Sequence, residues 1–132
     1  MGELIYEDLT FRIRGSLFRV YNQLGSGFRE ETYMQAVIID FAQEGVPFEK
    51  EKAYPIFYRG KRVDEYRVDL IAFGKIILEL KATSEMHPRF EAQLLSYLKA
   101  TDLKLGLLVS FGKEELDIRR LVNPNSKAED AD

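Results

Sequence analysis

Three residues of this 132-residue chain combine type and spacing in a way that could do chemistry: Asp69, Glu79 and Lys81. Alternate residues of a β-strand share a face, so a strand over 75–81 puts Ile77, Glu79 and Lys81 on one side and Ile76, Leu78 and Leu80 on the other. A strand over 63–73 likewise separates Tyr66, Val68 and Leu70 from Arg67, Asp69 and Ile71. If the two pair antiparallel about Gly74, Phe73 lies near Lys75, Ile71 near Ile77 and Asp69 near Glu79. Facing carboxylates repel and weaken a sheet unless a cation lies between them. Lys81 can supply that charge. So can a hard divalent ion such as Mg²⁺ or Mn²⁺, which prefers carboxylate oxygens and commonly binds phosphate as well. The same residues would also suit an ion-paired, solvent-exposed sheet face with no catalytic role.

The elements that must position these residues can be read from periodicity. Leu9, Ile13, Leu17, Val20 and Leu24 recur at helical spacing, ending at Gly25-Ser26-Gly27. A second helix is expected from about Phe28 to Glu44, with Tyr33, Val37 and Phe41 on its apolar stripe and Gly45 closing it. Alternation then takes over. Val46 to Tyr58 reads as an interrupted or edge strand with Lys50 and Glu51 in its charged middle, and Arg59-Gly60-Lys61-Arg62 as a turn. The runs 63–73 and 75–81 follow, the three together forming an antiparallel meander. Pro88 opens a third helix carrying Phe90, Leu94, Tyr97 and Leu98, followed by a buried strand from Lys104 to Phe111 and a short one from Ile118 to Val122. The order is α-α-β-β-β-α-β-β, an α/β fold with a mixed central sheet flanked by helices. Residues 1–122 form one domain in this reading, and 123–132, with little to bury, a disordered tail.

Composition removes several function classes. With 45% hydrophobic residues, the chain can build a core without disulfides or a structural metal. Its lack of cysteine excludes thiolate metal sites and a cysteine nucleophile, and the single His87 excludes a histidine-rich centre. His87 is expected to cap a helix or sit at the surface. No apolar run approaches the roughly 20 residues needed to span a bilayer, and the N-terminus lacks a basic-then-apolar leader. A soluble, cytoplasmic protein is expected, with no membrane partner. Nineteen basic against 22 acidic residues, net charge −3, argues against coating nucleic acid by bulk charge while leaving room for a local basic groove.

Asp69, followed ten residues later by Glu79-Leu80-Lys81, resembles the D…ExK core of the PD-(D/E)xK nuclease superfamily. Gly27-Phe28-Arg29-Glu30-Glu31-Thr32-Tyr33 is similar to the signature of the superfamily's small GxxExxY family, and Gln93-Leu94-Leu95-Ser96-Tyr97 resembles the QxxxY element of RecB-type nuclease domains. The resemblance implies a restriction-endonuclease-like core. It also implies that Asp69, Glu79 and the backbone carbonyl of Leu80 supply metal oxygens, that Glu30 joins them directly or through a water, and that Lys81 orients the attacking water. The cofactor implied is one or two Mg²⁺, with Mn²⁺ as a substitute. Gln93 and Tyr97, four apart on one helix face, could reach a phosphate, a base or the Lys81 amine, or simply join helix to sheet. Tyr33 reads as a packing residue. Glu30 would by itself be read as a carboxylate favouring the helix dipole.

An anionic substrate requires positive charge near the acidic centre. Arg59, Lys61, Arg62 and Arg67 supply it around the first hairpin, with Arg62 and Arg67 as substrate-binding candidates, while Arg12, Arg14 and Arg19 read as a solvated helix face. The function expected is a metal-dependent nuclease acting on DNA in preference to RNA. Homodimerisation or a partner protein would extend its small footprint. The alternative is a catalytically silent interaction module of the same fold, binding protein or nucleic acid. A small-molecule phosphatase is a third reading, weakened by the lack of a glycine-rich phosphate loop.

Overall fold

The computed structural model describes residues 5–127. Helices α1 (Glu7–Leu24) and α2 (Glu30–Glu44) come first, then strands β1 (Phe48–Lys50), β2 (Ala53–Tyr58), β3 (Lys61–Arg67), β4 (Leu70–Ala72) and β5 (Ile76–Lys81). Helix α3 (Pro88–Thr101) and strands β6 (Leu105–Phe111) and β7 (Leu116–Val122) follow. The expected mixed sheet flanked by helices is present, with elements in the expected order. Five strands form it in the order β1-β4-β5-β6-β7, with β5 and β6 parallel across the α3 crossover and the other pairs antiparallel.

The first two expected strand runs each break in two, and the breaks are coupled. Glu51 adopts a left-handed φ of 53°, and its N–H donates to the carbonyl of Asp69 while Val68 N–H donates to that of Lys52, both at 3.1 Å. Where the first run is interrupted, its partner is interrupted opposite. The halves nearer Gly74 and Pro47 (β1, β4) join the main sheet, and the others (β2, β3) leave it as a separate two-stranded arm. The meander therefore continues through two sheets. β1 is an edge strand of the larger one.

Sheet alternation feeds two apolar clusters. Ile76, Leu78 and Leu80 of β5, with Leu105, Leu107, Val109 and Phe111 of β6, pack against Ile13, Leu17, Tyr33, Val37 and Phe41 of α1 and α2. On the other face Ile71, Ile77 and Leu108 meet Leu94 and Leu98 of α3 together with Tyr66 and Val68. Gly106 eases the second contact: a Cβ there would stand 3.0 Å from Leu94 Cδ2, so any larger residue would require the Leu94 side chain to shift by a few tenths of an ångström.

The start of the expected disordered tail is ordered. Asn123 is buried and donates its amide to the carbonyls of Leu98 (3.2 Å) and Leu103 (3.5 Å), while Ser126 Oγ donates to Asp102 O at 2.6 Å. These bonds occupy carbonyls around the end of α3, so polar residues without apolar area still dock. The rest of the expected tail, 128–132, lies outside the described residues. Among the described residues no helix is long and apolar enough to cross a membrane.

Candidate functional site

Strand register brings the two central carboxylates together. Ile71 pairs with Ile77 and Leu70 with Leu78, and continuing one step sets Asp69 opposite Glu79, the predicted arrangement. Phe73 and Gly74, both left-handed with φ of 57° and 66°, make the turn that fixes this register. Lys75 N–H closes it onto Ala72 O at 3.1 Å. Asp69 lies just before β4, and its Oδ2 accepts the Leu80 N–H at 2.9 Å.

Both carboxyls sit where ionisation is costly. Glu79 is pushed up to about 7, first by burial and then by the charge of Asp69, against the opposing effects of the Tyr66 hydroxyl, Lys81 and the Asp69 N–H. Asp69 is also raised, chiefly by burial and further by Glu30, while Leu80 N–H, Lys81 and a hydrogen bond from Glu79 favour its charged form. Two neighbouring acids, one held near neutrality and one less perturbed, can share a proton in the absence of a cation.

Glu30, the first residue of α2, turns towards this cluster and accepts the Ala82 N–H at 3.4 Å, immediately beyond β5. Tyr33 is fully buried, stacks on Phe111 with centroids 4.1 Å apart, and donates its hydroxyl to Gly25 O at 2.6 Å. It thereby holds the α1–α2 loop and the start of the helix that carries Glu30. Lys81 lies with its ammonium 4.6 Å from the Phe90 ring centroid, a cation–π contact. Glu30, Asp69 and Arg67 border one cleft of about 410 Å³, together with Glu31, Met34 and Glu51.

Tyr66 was missed as a site residue. A continuous strand would point it away from Asp69, but the break between β3 and β4 resets the faces, and its hydroxyl donates to Glu79 Oε1. Tyr97 stacks on it with an interplanar angle of 17°. Gln93 hydrogen-bonds Tyr97, and the Tyr97 hydroxyl is raised by burial and by Glu79. The QxxxY pair thus braces the acid cluster through Tyr66. The sequence shows the charged interruption at Lys50-Glu51 in the first run, but not that the paired strand breaks opposite it.

Arg62 and Arg67 both lean on Glu65, Arg67 at 3.0 Å, with Arg62 out on the arm and Arg67 at the cleft. His87 is exposed and caps α3 by accepting Arg89 N–H at 3.1 Å.

The donor set suits a hard cation in kind, being oxygen only and concentrated in two repelling, partly buried carboxyls. It is incomplete in number. Among the described residues no three Asp, Glu, His or Cys side chains stand close enough together to hold a metal ion, so Glu30 does not close a cage with Asp69 and Glu79. Such a half-open set leaves coordination positions for water and phosphate, as Mg²⁺ sites usually do.

A crystal structure of a protein designated SSO0001 has a similar fold, with a TM-score of 0.50 at 16% identity, covering 93% of this chain and 79% of that one. No curated protein matches the sequence. The family model of the PD-(D/E)XK nuclease superfamily matches residues 7–121, an interval that takes in Glu30, Asp69, Glu79, Lys81 and the QxxxY pair, and the chain belongs to that superfamily.

Proposed function

We propose that the protein is a metal-dependent nuclease of the GxxExxY type that hydrolyses phosphodiester bonds, in DNA in preference to RNA. The observation carrying this reading is the Asp69–Glu79 pair, two adjacent acids whose charge the fold itself leaves short of compensation. A bound Mg²⁺, or Mn²⁺ in its place, would be held by Asp69, Glu79 and the carbonyl of Leu80, with Glu30 as a further acidic neighbour, and would activate water and neutralise charge developing on the phosphate.

The chain's own residues do the rest. Lys81 supplies fixed positive charge beside the carboxylates and orients the nucleophilic water, its ammonium held over the Phe90 ring. Tyr66, backed by Tyr97 and Gln93, fixes the Glu79 carboxyl by donating to Oε1. Arg67 at the cleft and Arg62 on the arm engage the phosphodiester backbone.

Purified protein incubated with linear, circular and single-stranded DNA and with RNA, in Mg²⁺, Mn²⁺ or chelator, tests the reading. Cleavage that needs the metal and disappears in Glu79→Ala and Asp69→Ala supports it. Cleavage that survives both substitutions would sink it, and absence of both cleavage and metal binding would favour the silent interaction module.

A further inference from the structure

A second cleft lies beyond the end of β5, beside the start of α2. Its walls are the α1–α2 loop at Ser26, Gly27 and Phe28, the segment Ala82–Ser84 that leaves β5, and Phe111 and Lys113 at the end of β6; its volume is about 400 Å³. Ala82 on this wall donates its N–H to Glu30 at 3.4 Å, so the cleft lies next to the acidic residue at the start of α2.

Three groups on its wall are equipped for a nucleotide. Phe28 is 45% exposed although it meets Tyr33 edge-on at 6.0 Å, which leaves ring surface facing outward. Ser84 Oγ accepts the Lys113 N–H at 2.8 Å, and its own proton has no acceptor among the described residues. The Lys113 ammonium makes no ion pair among the described residues, whereas Arg19, Arg62, Arg67 and Arg119 are all engaged by carboxylates. Negative charge limits the path on the far side. Glu114, Glu115 and Asp117 line the neighbouring hollow, which would turn an anionic strand back towards Phe28 and Lys113.

We infer that this cleft binds the nucleotide next to the phosphate undergoing cleavage, and binds it unpaired, with Ser84 and Lys113 on its phosphate and Phe28 stacked on its base. This rests on the nuclease reading above and adds a substrate class to it. Stacking on an aromatic ring needs an exposed base face, which a duplex hides within its own stack, and it tolerates any base. The substrate at this position is therefore a single strand, an overhang or a frayed end.

The test uses the Glu79→Gln protein, which removes a repelling carboxylate and prevents turnover, with a fluorescein-labelled twelve-residue oligothymidine titrated at several salt concentrations. Lys113→Met should lower affinity and reduce the slope of log K against log salt by about 0.7, the contribution of one single-strand phosphate contact. Phe28→Ala should weaken binding by roughly tenfold or more without changing that slope, and Phe28→Tyr should restore it. A merely structural role for either residue would not separate affinity from salt slope in this way. Binding that is unaffected by both substitutions, or a matched duplex binding more tightly than the single strand with Phe28 irrelevant to either, would overturn the subsite and leave the nuclease reading standing. No binding of any nucleic acid would remove the nuclease reading, and the subsite with it.

Discussion

The run from Lys61 to Ala72 passes from one kind of charged environment to another within a dozen residues. In β3, Arg62, Asp64, Glu65 and Arg67 are exposed or partly so, and Glu65 is paired by both arginines. Beyond the break at Val68, Asp69 abuts a strand whose three residues are all buried, and its partner Glu79 is pushed up to about 7. The arm neutralises charge with charge in water, where such pairs contribute little either way. The sheet brings like charges together out of water, which the folded chain tolerates only by keeping a proton or accepting a cation. Charged residues of the arm should therefore affect encounter with a substrate, and those of the sheet should affect chemistry and stability.

The sharpest way to break this contrast is to remove charge from each region in turn. Lys81→Met and Asp69→Asn should each lower kcat by about 100-fold or more, since the proposed mechanism has each acting where charge develops. Lys81→Arg should not restore the rate, because a planar guanidinium cannot replace a compact ammonium seated on Phe90. Single-turnover cleavage rates check this, and near-normal rates in Lys81→Met would detach the lysine from catalysis.

A second test needs no substrate. The folded-state pKa of Glu79 lies above its ordinary value of 4.5, so the folded protein holds this proton more tightly than the unfolded chain. The resulting stabilisation is fully present below about pH 4.5 and is lost as the pH rises to and through about 7, a change of up to about 3 kcal/mol. Asp69 contributes with the same sign. In chelator, denaturant melts from pH 5 to pH 8 should show wild type losing stability relative to Glu79→Gln. Mg²⁺ should restore more stability at pH 8 than at pH 5, because it binds the ionised pair. Equal pH profiles for the two proteins would mean that Glu79 is better solvated than the geometry indicates.

Much of this site was legible because it depends on alternation and register. Asp69 and Glu79 meet because Ile71 faces Ile77, and that follows from counting outward from Gly74. Helix phasing placed Gln93 and Tyr97 on one face. What could not be counted was the point where a strand changes sheet. Nothing within Tyr66-Arg67-Val68-Asp69 marks a break, since the cause lies across the ladder in the left-handed Glu51 and its bond to Asp69 O. The same limit hid the docking of Asn123, whose partners are carbonyls at the end of α3. Long-range hydrogen bonds by single polar residues leave no periodic trace.

Tyr66 offers a smaller effect at the boundary between the two regions. Its hydroxyl opposes the burial that raises Glu79, so Tyr66→Phe should move Glu79 further upward. The acid limb of a pH–rate profile should then shift up by roughly half a unit to one unit, and metal affinity fall by about 10- to 100-fold, the usual consequence of losing a partner behind a ligand. An unshifted limb with reduced affinity would make Tyr66 a packing residue beneath Tyr97 alone.

The arm should give the smallest change in rate and almost none in stability. Phe57, Tyr58 and Val63 are each at least 60% exposed, Arg59 and Gly60 turn the hairpin with φ of 50° and 77°, and Arg59 lies 5.3 Å from the Tyr58 ring centroid. Little of the core depends on this tip, so Arg59→Gln, Lys61→Gln or Arg62→Gln should alter folding by no more than about 0.5 kcal/mol, even where the Arg62–Glu65 pair is lost. Each arginine or lysine that touches a duplex phosphate should nevertheless take about 0.9 from the salt slope of binding. kcat at saturating substrate should stay within about twofold of wild type, because these groups lie outside the acid cluster and act on encounter. The Arg62→Gln result divides two geometries. A reduced slope with unchanged kcat places the arm along the bound backbone, whereas an unchanged slope leaves Arg67, at the cleft itself, as the residue that carries contact on this side of the site.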